Sequence, residues 1–393
     1  MKLLRYNICA LAVLMALLLS CRETPPDEPA KHLLLVYMVG DNNLNNYTLE
    51  KIEALQRGFL ASPGNKLLIY NDSGFAPSLI EIVNKKGSNI KHHVNSYGDD
   101  TNSANPAVLA RIIDEVKTKY PAQSYGLILF SHASGWLPKG YLTTPRSISD
   151  ARTIFQDKQS EMELPNFSAA IPDHLFNYIV IEACYMAGIE VAYELKDKAD
   201  YIVASSAEIV DPGFMYAYEH GINLLFSAPP NLSLLSLFTE LAYNYLNQTT
   251  NSDSEYGKSL NSSATFSIIK TGEIENLVAF VRDNCDWSRH INFSRVQDFG
   301  RTKDRNLFFD FEGVYSQLLP TDEQQRELSR LISKCVVKKY ATNYFFGNLP
   351  DGFKIDYHSG LSTYAPQNLF PELNEKYTKT KWHNTIRPTQ PNN

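Results

Sequence analysis

The chain has 393 residues, 44% of them hydrophobic and 12% aromatic, enough to bury a large core as one big domain or two and to confine disorder to the ends. Its formal net charge is −6 and no Lys/Arg-rich block occurs, which argues against nucleic acid as a partner.

The N-terminus has the order of an export signal: Lys2 and Arg5, then the apolar run ICALAVLMALLLS, then Cys21. Residues 1–20 are therefore expected to be removed. The ending Leu18–Cys21 looks like a bacterial lipobox, in which Cys21 becomes the lipidated first residue of the mature protein. Residues 21–31, polar and proline-rich, read as a tether, and the expected location is the cell envelope, with the protein held at the outer membrane or cell surface by its lipid.

Residues 33–40 (LLLVYMVG) read as a first core strand, with Asp41 and Asn42 at its carboxyl end either capping the next helix or bordering a site. Residues 66–72 form a second strand and residues 79–86 an alternating, more peripheral one. Residues 106–120 open with proline at the first turn and repeat apolar residues at Leu109, Ile112, Ile113 and Val116, the pattern of a helix packed on a sheet. The alternation of strands and helices predicts an α/β fold with a mainly parallel central sheet and right-handed crossovers.

Two later apolar runs end in reactive side chains. YGLILFSHASGW brings up His132, and YIVIEACYMAG brings up Cys184. Near-continuous apolar residues mark strands buried on both faces, and ligands of open α/β sheets bind beyond the carboxyl ends of such strands. A histidine and a cysteine presented there suit thiol-dependent hydrolysis. Met186, Ile189, Ala192 and Leu195 are spaced for a helix after Cys184, which predicts a thiol near a helix N-terminus, where thiolate is favoured. Ser131 and Ser134 flank the histidine, but no G-x-S-x-G elbow accompanies them, so a serine hydrolase is the weaker alternative.

Past the cysteine, residues 199–206 read as another core strand ending near Ala204 and Ser205 on the crevice side, followed by an acidic loop with Glu208 and Asp211. From residue 229 onward, helices alternate with strands at 265–270 and within LSTYAP. Thr321–Gln324 resembles a capping box, and Leu328, Leu331, Ile332 and Cys335 follow at helical spacing, so Cys335 is expected in the core and Cys285 is read as structural. Without Cys9 and Cys21, three cysteines remain, which leaves a thiol outside any disulfide framework. The pair His92–His93 and the isolated His220 and His358 lack metal-ligand spacing, and there is no phosphate loop or dinucleotide fingerprint, so no cofactor or metal is expected; acidic loops keep calcium open, although no EF-hand pattern occurs.

The pieces LLVYMVGDNNL, HASGW, MELPNFSAAI, EACYMAG, YIVAS and GLSTYAP, in that order, resemble the clostripain family of cysteine peptidases, with its caspase and gingipain type of fold. The resemblance implies a caspase-like α/β/α sandwich over residues 32–228 with an accessory region at 229–393. It implies a catalytic dyad of His132 and Cys184 and cleavage of peptides after Arg or Lys. It also implies self-cleavage after a basic residue between the two, for which Lys139, Arg146, Arg152 and Lys158 are the candidates. Two departures are visible: Ala133 stands where the family usually has glycine, and Glu182 where it usually has aspartate. Ala133 keeps an N–H that, with that of Cys184, can form an oxyanion hole if its φ allows. Glu182 can line an acidic specificity pocket, with Glu208 and Asp211 as further partners for a substrate cation and Ala204 and Ser205 on the wall, and can also cap the following helix, two roles that do not exclude each other. These departures also favour the alternative of a surface lipoprotein that binds peptides or glycans without cutting them.

Overall fold

The computed structural model describes residues 29–387 except 63, 140, 142–153, 159, 228–230, 249–262, 302–305 and 348. Cys21, Arg146 and Arg152 lie outside the described residues. No described helix is long and apolar enough to cross a membrane.

Five parallel strands form the middle of a nine-stranded sheet: β1 (His32–Val39), β2 (Asn65–Asp72), β5 (Tyr125–Phe130), β8 (Phe176–Glu182) and β9 (Ala199–Ser205), in the spatial order β9-β8-β5-β1-β2. Each is buried along most of its length, as their unbroken apolar runs predict. Along β1, Leu33, Leu35, Tyr37 and Val39 enter one core while Leu34, Val36 and Met38 enter another on the opposite face. Helices cover both faces, Pro106–Lys119 on the first and Asn45–Gly58 and Leu232–Gln248 on the second, giving the α/β/α sandwich. The helix at 106 starts as expected, with Pro106 in the first turn and the Asn105 side chain accepting from the Ala107 N–H.

Antiparallel strands close both edges. On one side lie β3 (Ser78–Lys85) and β4 (Ser88–Ser96). β4 is polar and largely exposed, and its few apolar residues give no strand period. A hairpin of β6 (Ile154–Asp157) and β7 (Ser160–Met162) lies outside the main sheet. On the other side β10 (Thr265–Lys270) pairs with β9, and β12 (Val336–Ala341) pairs with β10. The region after residue 229 therefore supplies two strands of the central sheet as well as helices packed on it. Residues 362–363, within LSTYAP, form only a short bridge partner for β11 (Phe309–Asp310). Cys335 is buried at the end of helix Asp322–Cys335, whose capping box at Thr321 and Gln324 is formed on both sides.

Candidate active site

Strand order changes direction around β1: β2 lies on one side of it and β5, β8 and β9 on the other, so the loops after β1 and β5 diverge and leave a crevice. Register decides what enters it. Phe130, the last residue of β5, pairs with Glu182, the last of β8. His132 and Cys184 each stand two residues beyond that pair, in the loops that leave strands spaced about 4.8 Å apart. Both line a cavity of about 220 Å³, together with Asn43, Lys51, Glu182, Glu208, Asp211 and Gly213.

The two approach loops are shaped around each other. Gly135 has φ +66, and a Cβ there would lie 2.8 Å from the carbonyl oxygen of Tyr185. Ala133 is not in the left-handed region, so the alanine-for-glycine departure carries no backbone strain; the residue of this loop that needs a positive φ is Gly135. Tyr185, with φ +62, stacks on Phe308 at 3.9 Å between centroids and donates from its hydroxyl to Glu208 at 3.0 Å. The N–H groups of Tyr185 and Ala187 donate to the carbonyls of Ala207 and Ser205, which fastens the cysteine turn to the end of β9.

His132 Nε2 lies 2.6 Å from Oδ1 of Asn43, so the amide oxygen accepts and the proton sits on Nε2. Asn43 belongs to an asparagine-rich turn after β1, and only the strand order reveals that this turn faces the histidine. Neither Asp41 nor Asn42 caps the next helix. Asp41 pairs with Lys158 at 3.2 Å, while Asn42 accepts from the Leu44 N–H and donates to the carbonyl of Gln156. Ser131 donates to the Val39 carbonyl and accepts from the Gln156 N–H, which commits it to structure, and Ser134 is buried.

The surroundings of Cys184 differ from the helix-N-terminus expectation. The helix begins only at Ile189, and Met186 lies in the intervening turn. The residue is partly exposed, but its surroundings desolvate the sulfur. Desolvation, then the Glu208 carboxylate, push its pKa up to about 12, against a smaller pull downward from the Ile209 N–H, which donates to Sγ at 3.4 Å, and from Arg301. Glu208 itself is paired with Arg301 at 3.3 Å.

Glu182 does not cap that helix either. It is buried, with Oε1 accepting from Lys51 Nζ and the Phe214 N–H, both at 2.8 Å, and Oε2 from the Tyr218 hydroxyl at 2.5 Å. Asp211 stands half-buried on the same wall, its pKa raised to about 6 by burial. Ala204 and Ser205 are fully buried inside the sheet, where the Ser205 hydroxyl meets that of Thr265 at 2.9 Å; neither lines the cavity. Lys51, on helix Asn45–Gly58, is the residue of the wall that its sequence neighbourhood does not announce.

Residues 36–342 match the model of the clostripain family. The chain belongs to the clostripain family. Clostripain of Hathewaya histolytica is 27% identical over 217 residues, covering 47% of this chain and 41% of that protein, so the match spans about two-fifths of the relative's length. An inactive zymogen C11 protease from Parabacteroides distasonis is 29% identical with a TM-score of 0.76, covering 91% of this chain and 98% of that one. A secreted C11 cysteine protease from Bacteroides thetaiotaomicron, solved in complex with an irreversible peptide inhibitor, is 25% identical with a TM-score of 0.78, covering 91% and 99%. These likenesses agree with the α/β/α sandwich and with a family fold that extends well past residue 229.

Proposed function

We propose that the protein is an exported cysteine endopeptidase with a His132/Cys184 dyad, tethered to the membrane by a lipid on Cys21. The observation that supports the dyad is the register of β5 on β8, from whose paired ends the loops of His132 and Cys184 start, together with the one cavity that both residues line. With its thiol raised to about 12, Cys184 rests protonated, so attack on the substrate carbonyl requires His132 to take the thiol proton as the carbon–sulfur bond forms. The contact of His132 Nε2 with Asn43 orients the imidazole ring for that role. The N–H groups of Ala133 and Cys184 are the candidate oxyanion donors. His132 then gives the proton to the leaving amine and later takes one from the water that hydrolyses the thioester.

Cleavage after Arg or Lys, which the family resemblance implies, would rest on Glu182, Glu208 and Asp211. That preference depends on the carboxylates being unneutralised, which Lys51 and Arg301 oppose. Self-cleavage between His132 and Cys184 has Lys139 and Lys158 as its described candidates; both are exposed, Lys158 next to its ion pair with Asp41.

The raised thiol pKa favours one competing reading, a lipoprotein of the same fold that binds peptides or glycans without cutting them. Fluorogenic peptides ending in Arg, Lys, Asp, Asn or Ala separate the two. The peptidase releases fluorophore from at least one, and Cys184→Ala or His132→Ala lowers kcat/KM by about a thousandfold or more. Absence of turnover, before and after nicking between His132 and Cys184, overturns the peptidase in favour of the binding protein.

A further inference from the structure

A carboxylate at the foot of a cavity recognises a guanidinium through two parallel hydrogen bonds, one to each oxygen. Glu182 cannot offer them. Its Oε1 already accepts from Lys51 Nζ and the Phe214 N–H, and its Oε2 from the Tyr218 hydroxyl. The arrangement is built closely: Gly213 has φ +61, and a Cβ there would lie 2.1 Å from Glu182 Oε1. Lys51 is held from further sides. Its ammonium donates to the Pro212 carbonyl at 2.7 Å and lies 5.0 Å from the centre of the Phe130 ring, and its side chain is 3% exposed.

Of the remaining acids of the wall, Glu208 pairs with Arg301, while half-buried Asp211 has no ion pair among the described residues and feels Lys51 only at Coulombic range. A substrate cation that reaches Glu182 at the foot of the cavity meets the Lys51 ammonium, of its own sign, already paired there.

We propose that Lys51 is the residue that sets the specificity of this pocket: it stands where a substrate's basic side chain would meet Glu182, and the pocket takes an uncharged side chain of medium length, such as Gln or Met. The inference rests on the reading of the cavity as a peptide-binding pocket, but not on turnover.

Fluorescein-labelled hexapeptides that differ only in one residue, Arg, Lys, Gln or Met, titrated by anisotropy into the full chain carrying Cys184→Ala, test it without chemistry. Gln and Met peptides bind about tenfold or more tightly than Arg and Lys peptides. Adding Lys51→Met reverses the order by freeing Glu182, and the double change Lys51→Met with Glu182→Gln restores the preference for uncharged residues. Should Lys51→Met not fold, Lys51→Gln keeps an N–H for Glu182, removes the charge and carries the same reversal. Equal or tighter binding of the Arg peptide to the chain with Lys51 intact overturns the proposal, as does an order unchanged in a folded Lys51 variant, or binding by none of the peptides. Failure of the peptidase reading is seen separately, as absence of Cys184-dependent turnover with an unaltered binding order.

Discussion

The floor and the rim of the cavity each hold a carboxylate neutralised by a cation from a distant part of the chain, yet the two pairs are built differently. On the floor, Lys51 and Glu182 meet at 2.8 Å with side chains 3% and 1% exposed, and Glu182 is the carboxylate described on Lys51. On the rim, Arg301 lies 3.3 Å from Glu208, also reaches the more exposed Asp351 at 3.3 Å, and stacks over Phe346. The floor pair is a closed unit, and removing one member strands the other in low dielectric. The rim pair is redundant, and its charge is shared with the thiol that Glu208 perturbs. A closed pair suits selection by exclusion, whereas a shared pair suits adjustment of reactivity.

The largest expected effect breaks the floor. Glu182→Ala leaves the Lys51 ammonium buried without its carboxylate and should cost about 3–5 kcal/mol of stability, read as a lower urea midpoint at unchanged m-value. Glu208→Ala leaves Arg301 with Asp351 and should cost clearly less. Similar losses for the two would refute the contrast between a closed and a redundant pair.

A carboxylate without a cation sharpens the same comparison. Glu190 is buried, accepts from the Thr363 hydroxyl at 2.8 Å and the Tyr364 N–H at 3.0 Å, and has no cation among its described partners. Burial raises its pKa to about 7, with the hydrogen bonds opposing. Below about pH 4.5 the group is protonated in both folded and unfolded chains. As pH rises toward 7 the unfolded chain ionises first, so the stability supplied by the protonated group is lost progressively, by as much as about 3 kcal/mol at pH 8. Glu190→Gln should remove that loss, so the melting temperature of the variant falls less between pH 5 and pH 8 than that of the parent. Parallel pH profiles for parent and variant would show that Glu190 is already ionised in the fold.

What could be read from the sequence follows from how local each signal is. The parallel strands were legible because burial on both faces leaves an unbroken apolar run, and the ends of those runs located His132 and Cys184. The capping box at Thr321 and the buried Cys335 were legible because their partners lie within a few turns of one helix. β4 was not, since an exposed edge strand has no apolar face to reveal it. The helical spacing carries the helix after Cys184 too far upstream, because Met186 fits that spacing while being buried in a turn. Lys51 was invisible for a different reason. Within TLEKIEAL it reads as one more charge on a helix surface, and its partner Glu182 is 131 residues away. A pair formed between a helix and a strand end far apart in the chain leaves no trace in either neighbourhood, and so Glu182 reads as an open acidic pocket.

The smallest effect concerns the rim and bears on the chemistry. Glu208 is the largest charged contribution raising the Cys184 thiol, after desolvation, while Arg301 pulls the other way. Glu208→Gln keeps the shape and an acceptor for the Tyr185 hydroxyl, removes the negative charge, and leaves Arg301 less neutralised beside the sulfur. The thiol pKa should fall from about 12 but stay above that of a free thiol, because burial is the larger cause and is unchanged. Alkylation of Cys184 by iodoacetamide at pH 8 should accelerate several-fold, about the change expected when a charge near a partly open site is removed, with the rate still rising beyond pH 9. The same substitution at the floor, Glu182→Gln, should leave the alkylation rate nearly unchanged, since Glu182 is not among the groups that perturb the thiol. Equal acceleration by both would mean that the floor and rim charges act on the nucleophile together, and that the pocket cannot change its selectivity without changing its reactivity.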